Sequence, residues 1–103
     1  MRFAHLSLLV VALAACGSKP RAPKILHVDI RAMAYSPDAL AVSVGDTVEW
    51  TNDDLVPHSV TSSTFDSKAI APHQTWSYVA KTPGDFAYGC TFHTMMVAAI
   101  VVR

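Results

Sequence analysis

The C-terminal part of the chain gathers side chains whose donor atoms bind soft metal ions. The stretch CTFHTMM contains the thiol of Cys90, the imidazole of His93 and the thioethers of Met95 and Met96. A second imidazole, that of His58, lies in the stretch NDDLVPHSV. This donor set favours copper over hard cations, and a Cys with two His and a weak axial Met is the blue-copper arrangement. The sequence therefore predicts one copper ion here, cycling between Cu(I) and Cu(II).

Each of these residues also has a simpler interpretation. A lone Cys90 can be a small buried hydrophobic residue, and a lone His58 can be an exposed loop histidine. The ligand interpretation is favoured because the residue types occur together at loop spacing. Met96 is favoured over Met95 as the thioether ligand, since Met95 follows His93 too closely for the chain to turn. Met95 remains the alternative ligand and would otherwise lie at the surface near the metal.

The segments that must position these residues have the pattern of β-strands. From Ile25 onwards apolar residues recur at every second position, which is typical of half-buried strands. Turn signals rich in Gly, Pro, Asn and Asp separate the strands, and Asp53 and Asp54 are interpreted as part of one solvated turn. No sustained helical period is present. The sequence predicts an all-β fold, a Greek-key β-sandwich or closed barrel.

This fold would bring the two metal-binding segments together. Phe86, Tyr88 and Cys90 share a parity, so Cys90 should end a strand with its side chain pointing inward. Loops at one end of a sandwich converge even when they are distant in sequence, which places His58 near the loop that follows Cys90. The buried aromatic centre is predicted to comprise Trp50, Trp76, Phe86 and Tyr88.

The N-terminus has the features of an export signal. Residues 1–15 combine a cationic start with a short apolar core and small residues. The motif LAAC resembles a bacterial lipobox, which predicts cleavage before Cys16 and lipidation of its thiol; ordinary cleavage with a free Cys16 is the alternative. Residues 16–24 have the composition of a tether, and 25–103 form the folded domain. We therefore expect a protein of the periplasm or cell envelope that is anchored to a membrane by its lipid.

Composition excludes several classes of function. The 103 residues support one domain, and eight Lys and Arg balance eight Asp and Glu. Without a basic surface, nucleic acid is not an expected partner.

The two cysteines are not expected to pair with each other. In an oxidising compartment a structural Cys normally pairs, but lipidation of Cys16 would leave Cys90 without a partner. We expect a monomer.

Two stretches resemble the motifs of cupredoxins, the type 1 blue copper proteins. AVSVGDTVEWTNDDLVPHSV and GDFAYGCTFHTMMVAAIVV occur in the order found in that family, and the His93-to-Met96 spacing is similar to that of amicyanins rather than of the plastocyanin or pseudoazurin type. The resemblance implies the cupredoxin form of the sandwich. It also implies copper ligation by one set of residues: His58, Cys90, His93 and Met96.

The resemblance extends to residues around the copper ligands. Asn52 matches a family Asn that ties the His-bearing loop to the Cys-bearing loop, a supporting role around a metal site. Thr91 matches the residue after the Cys in amicyanin-like loops. Phe92 and Thr94 replace prolines of those loops, so the loop that carries His93 should be less rigid. His73 stands where relatives often have Gly in a turn.

The function implied by the resemblance is one-electron transfer without enzymatic activity. The exposed edge of His93 would be the electron port, and redox partners would dock on apolar residues around it, namely Pro57, Phe92, Met95 and Val97. Copper enzymes of this kind place a His beside the Cys, whereas Cys90 is flanked by Gly89 and Thr91. Copper carriage or buffering is the alternative function. A sandwich that serves only protein contacts is the third possibility.

Overall fold

A computed structural model describes residues 2–4 and 21–103 of the protein. Within these residues the regular structure consists of seven strands and contains no helix. The strands are β1 (Ile25–Arg31), β2 (Ala34–Ser36), β3 (Ala39–Val42), β4 (Thr47–Asn52), β5 (Thr75–Val79), β6 (Gly84–Gly89) and β7 (Val97–Val102). The described part of the chain contains no helix with the length and apolar character needed to span a membrane.

The strands form two sheets that face each other. One sheet has the order β2-β1-β4-β5 and the other has the order β3-β7-β6. The β1–β4 and β3–β7 pairs are parallel, while the remaining pairs are antiparallel. Parallel strands need a crossover connection, and here the chain enters the other sheet between the two strands of each parallel pair. The prediction of an all-β sandwich is confirmed.

The core follows from the period-two pattern of the strands. In β4 every second side chain is buried, so Val48, Trp50 and Asn52 point inward. Trp50 and Tyr88 form the aromatic centre as predicted, and the Trp50 indole N–H donates to the Tyr88 hydroxyl at 3.1 Å. Trp76 and Phe86 are only partly buried and pack against this centre.

Two aromatic residues of the core were not predicted from the sequence. Phe65 lies outside the regular strands, yet it is buried, with its ring centroid 4.5 Å from that of Tyr78. Tyr35, in the three-residue β2, is buried edge-on against Tyr88 at 4.8 Å. Neither residue belongs to a long alternating run, which is why periodicity gave no signal for them.

Residues that precede β1 contact the sheet domain. β1 starts at Ile25, and the Arg21 guanidinium lies 2.7 Å from the Asp46 carboxylate. The Lys24 backbone N–H also donates to Asp46, at 2.9 Å. The last residues of the predicted tether therefore contact the domain. Apart from residues 2–4, the predicted signal peptide and Cys16 lie outside the described residues.

His73 occupies a left-handed backbone conformation in the turn before β5. Its φ is 66°, and its backbone N–H donates to the Asn52 carbonyl at 2.7 Å. This conformation is uncommon for residues other than Gly. The left-handed conformation therefore explains why the family resemblance led us to expect Gly, rather than His73, at this position.

Candidate metal centre

Three donor atoms converge at one end of the sandwich. The Cys90 Sγ atom lies 3.8 Å from the Nδ1 atom of His58 and 3.8 Å from the Nδ1 atom of His93. The three donor atoms all lie within 4.8 Å of one another. For a metal bonded at about 2.3 Å to sulfur and about 2.0–2.1 Å to nitrogen in a trigonal plane, the S···N separation is about 3.8 Å. The donor spacing therefore fits one ion of the first transition series.

Met96 lies on the inner side of the ligand loop and Met95 on the outer side. Met96 is 4% exposed, whereas Met95 is 94% exposed. Met96 also lines a cavity that Cys90 lines. This difference favours Met96 as the thioether neighbour of the three donors and leaves Met95 at the surface.

Backbone contacts fix the loop that carries Cys90, His93 and Met96. The Met96 N–H donates to the His93 carbonyl at 3.0 Å, and the Cys90 N–H donates to the Met96 carbonyl at 3.3 Å. Gly89 lets the Met96 carbonyl approach the end of β6, because a Cβ atom at position 89 would lie 2.8 Å from the Met96 carbonyl oxygen. Gly89 also exchanges two 2.9 Å backbone hydrogen bonds with Thr61, which anchors the end of β6 beside the His58 segment.

His58 is fully buried and is oriented by a carboxylate. Its Nε2 atom lies 2.8 Å from the Asp54 carboxylate, so its Nδ1 atom faces Cys90. The Asp54 carboxylate also accepts the backbone N–H groups of Ala32 at 2.7 Å and Met33 at 3.0 Å. A carboxylate on the far nitrogen of a ligating His fixes the ring and increases its basicity.

This role of Asp54 corrects the interpretation of Asp53 and Asp54 as a merely solvated turn. Burial tends to raise the pKa of Asp54, but the hydrogen bonds from Met33, His58 and Ala32 together hold it below its ordinary value. The turn that supplies two of these donors lies more than twenty residues away in sequence. No local pattern could have indicated the contact.

The environment of Cys90 favours its thiolate form. Burial tends to raise the pKa of the thiol, but its hydrogen-bond contacts with the Ser59 N–H, the two imidazoles and the Phe92 N–H lower it to about 6. The Ser59 N–H lies 3.3 Å from the Cys90 Sγ atom. Because the thiolate is the form that ligates metals, the site is electrostatically prepared for a cation.

Ser59 and Thr91, rather than Asn52, connect the two metal-binding loops. The Ser59 hydroxyl accepts the Thr91 N–H at 2.9 Å and lies 3.0 Å from the Thr91 hydroxyl. Thr91 therefore ties the Cys90 loop to the residue that follows His58. Ser59, which directly follows His58, was not singled out from the sequence.

The expected link from Asn52 to the Cys-bearing loop is wrong for this chain. The Asn52 side-chain amide donates to the carbonyls of Val56 and Ile70, both at 2.9 Å, and its Oδ1 atom accepts the Asp54 N–H at 3.0 Å. Asn52 is fully buried at the end of β4, so its side chain reaches the segments beside that strand. It shapes the turn that carries Asp54 instead.

His93 is partly exposed, and further exposed apolar residues lie in the segments that carry the donors. Phe92 is 53% exposed and Val97 is 69% exposed, while Pro57 is also exposed. Leu55, which the sequence analysis did not include, is 84% exposed in the His58 loop. We call the exposed side chains of Leu55, Pro57, Phe92, Met95 and Val97 the apolar face.

The fold and the site together define a class of protein. A two-sheet sandwich that holds a Cys, two His and a buried Met at one end has the arrangement of a type 1 copper centre. The donor types, their spacing and the thiolate-stabilising hydrogen bonds all fit copper.

Comparison with known proteins agrees with this class. The model of the cupredoxin-like domain family matches residues 4–102, and the chain belongs to this family. Amicyanin from Paracoccus denitrificans is 33% identical over 83 residues, which cover 74% of this chain and 63% of that protein. Plastocyanin from Synechococcus sp. is 34% identical over 88 residues, which cover 69% of this chain and 65% of that protein. The chain thus spans less than two thirds of the length of these relatives.

Solved structures share the fold as well. A mutant of amicyanin in its Cu(I) form superposes with a TM-score of 0.72 at 30% identity, covering 77% of this chain and 82% of the other. The purple cupredoxin from Nitrosopumilus maritimus gives a TM-score of 0.71 at 31% identity, covering 76% of this chain and 99% of the other. The predicted family membership is confirmed.

Proposed function

We propose that this protein carries single electrons by means of one copper ion held by His58, Cys90, His93 and Met96. The observation that carries the proposal is the convergence of one sulfur and two Nδ1 atoms within 4.8 Å of one another. Bound copper would supply the Cu(I)/Cu(II) couple. A soft, mixed donor set of this kind accommodates both oxidation states. The chain would act as a carrier and not as an enzyme.

The residues around the donors support this role because they limit movement. Asp54 holds the His58 ring, the Ser59 N–H holds the Cys90 sulfur, and the contact between Ser59 and Thr91 joins the two loops. Fixed donors reduce the rearrangement that accompanies gain or loss of an electron. His93 has fewer supports and more exposure, so it would be the residue nearest to incoming redox partners.

We further propose that redox proteins dock on the apolar face. Its exposed apolar side chains belong to the segments that carry His58 and His93, which suits a brief contact of small area. Docking there would place the partner close to the metal. Export, lipidation at Cys16 and a location in the periplasm or cell envelope complete the proposal and rest on the N-terminal sequence pattern.

The proposal is tested by adding Cu(II) to the protein and recording its visible spectrum. We expect an intense thiolate-to-copper band at about 600 nm. Cys90→Ser should abolish this band, whereas Met95→Leu should retain it as the matched control, because Met95 lies outside the buried donor set. A protein without this band, or a Cys90→Ser variant that keeps it, would contradict the proposal.

Copper carriage is the alternative, and redox cycling separates it from electron transfer. An electron carrier should hold copper through repeated cycles of reduction and oxidation. A carrier of the metal should release Cu(I) to a competing chelator after the first reduction. Copper retention over several cycles, measured by metal analysis after gel filtration, is therefore the deciding quantity.

A further inference from the structure

Two methionines outside the donor set described above line a cavity beside it. A cavity of about 490 Å³ beside the centre is lined by five residues, namely Met33, His93, Thr94, Met95 and Met96. Three of the four methionines of the chain therefore line one cavity. Met96 is accounted for by the buried donor set, but Met33 and Met95 are not.

Met33 is brought to this cavity by the same carboxylate that orients His58. It lies in the turn between β1 and β2, where Ala32 and Met33 have φ values of 50° and 62°. Both backbone N–H groups of the turn donate to Asp54. The turn is thereby tied to the metal-binding loop, and the Met33 side chain remains 43% exposed.

The cavity suits a soft monovalent ion. Thioether sulfur selects Cu(I), while hard cations require carboxylate or carbonyl oxygen. No charged side chain lines the cavity, so a divalent hard ion would have no counter-charge there. Met95 is almost completely exposed on the ligand loop, adjacent to Met96. The Met95 side chain is therefore accessible to an incoming ion, whereas Met96 is buried.

We propose that Met33 and Met95 form a transient capture site for Cu(I), from which the ion passes to the buried donor set. The proposal rests on the copper function proposed above. In the transfer Cu(I) keeps its oxidation state, gives up its bonds to the thioethers and forms bonds to the Cys90 sulfur and the imidazoles. Any proton on the thiol leaves to solvent. Two thioethers bind weakly, which suits release to the stronger inner donors.

The capture site is tested directly by NMR with methyl-¹³C methionine. Protein already loaded with one equivalent of Cu(I) is titrated anaerobically with a second equivalent, so that the inner donors are occupied. We expect the methyl signals of Met33 and Met95 to shift while that of Met96 stays in place. Unshifted signals for Met33 and Met95 would overturn the proposal.

The kinetic role is tested by copper uptake into metal-free protein. The double variant Met33→Leu/Met95→Leu keeps the side-chain volume and should take up Cu(I) at least five-fold more slowly, with the same final occupancy. Val79→Leu, an exposed apolar residue of β5, is the matched control and should leave the rate unchanged. Equal uptake rates for wild type and the double variant would overturn the proposal.

The two proposals fail in distinguishable ways. A protein that gives the thiolate-to-copper band but unshifted Met33 and Met95 signals overturns the capture site alone. A protein without the band overturns the proposed electron transfer. In that case titration of the metal-free protein with Cu(I) still tests Met33 and Met95.

Discussion

At the scale of the residue, the contact between Asp54 and His58 sets the character of the centre. The carboxylate accepts hydrogen bonds from a buried ring and from two backbone N–H groups of a distant turn. It keeps the Nδ1 atom of His58 directed at the metal position. A more basic imidazole stabilises Cu(II) over Cu(I), so Asp54 should lower the reduction potential.

Asp54→Asn should therefore weaken Cu(II) binding and raise the reduction potential. Loss of a carboxylate partner of a ligating His typically costs about 10–100-fold in metal affinity. Competition titration with a Cu(II) chelator measures the affinity, and voltammetry measures the potential. Asp53→Asn is the matched control, because the Asp53 carboxylate pairs with the Arg31 guanidinium at 3.3 Å and not with His58. Equal potentials for wild type and Asp54→Asn would contradict this role.

At the scale of the element, the junction of β6 with the ligand loop is the critical point. Gly89 leaves room for the Met96 carbonyl, and the two Thr61 hydrogen bonds fix the strand end beside the His58 segment. Cys90 follows immediately, so a small displacement of this junction moves the sulfur away from both imidazoles. The geometry of the site thus depends on a backbone contact as much as on the donors.

Gly89→Ala should disturb the centre, because the new methyl group would overlap the Met96 carbonyl oxygen. Overpacking of this kind costs about 1–3 kcal/mol, and we expect a weaker copper band with a shifted maximum. Visible spectroscopy and chemical unfolding measure the two effects. Gly45→Ala is the control: its φ of 96° makes Ala unfavourable, but nothing lies within 4 Å of the added atom. It should reduce stability without changing the spectrum.

The sequence predicted the strands and the ligand loop well. It did not reveal the side-chain contacts that hold the ligands in place. Alternation placed strands over Val48–Trp50 and Phe86–Tyr88, and the spacing of Cys90, His93 and Met96 indicated a loop closed around one point. These signals are local. The Asp54–His58 contact depends on the β1–β2 turn, and the Ser59–Thr91 link joins residues 32 positions apart. Such partners become visible only when the sheets are assembled.

At the scale of the whole molecule, the carboxylate of Asp46 holds together the segments at the start of β4. This carboxylate is 2% exposed and contacts Arg21, and it accepts the N–H groups of Lys24 and Ser43. The hydrogen bonds from Lys24 and Ser43, together with Arg21, hold the pKa of Asp46 below its ordinary value. The contact joins the segment before β1 to the β3–β4 turn.

The stability of the metal-free protein should depend on pH through Asp46. A carboxyl group whose pKa is lower in the folded state stabilises the fold above its unfolded pKa, about 3.9, and loses this contribution as the pH falls through the folded pKa. Asp46→Asn should therefore melt at a lower temperature than wild type at pH 7. The difference should shrink below about pH 4. A difference that is the same at both pH values, measured by thermal unfolding, would contradict the role of the charge.

Copper should also stabilise the whole domain, because it binds the folded state. At a free copper concentration of about 100 times the dissociation constant, the gain is about 2.7 kcal/mol. For a domain of this size each kcal/mol raises Tm by about 4–8 °C. Calorimetry with and without copper measures the shift, and Cys90→Ala should lose most of it. An equal shift in both proteins would indicate that the metal binds elsewhere.

X-ray absorption at the copper edge tests the central claim most directly, because it counts the atoms around the metal. For protein loaded with one equivalent of copper we predict one sulfur and two nitrogen neighbours at bonding distances of about 2.0–2.3 Å. The sulfur at bonding distance should vanish in Cys90→Ala. A spectrum of the wild-type protein without a bonded sulfur atom would contradict the account.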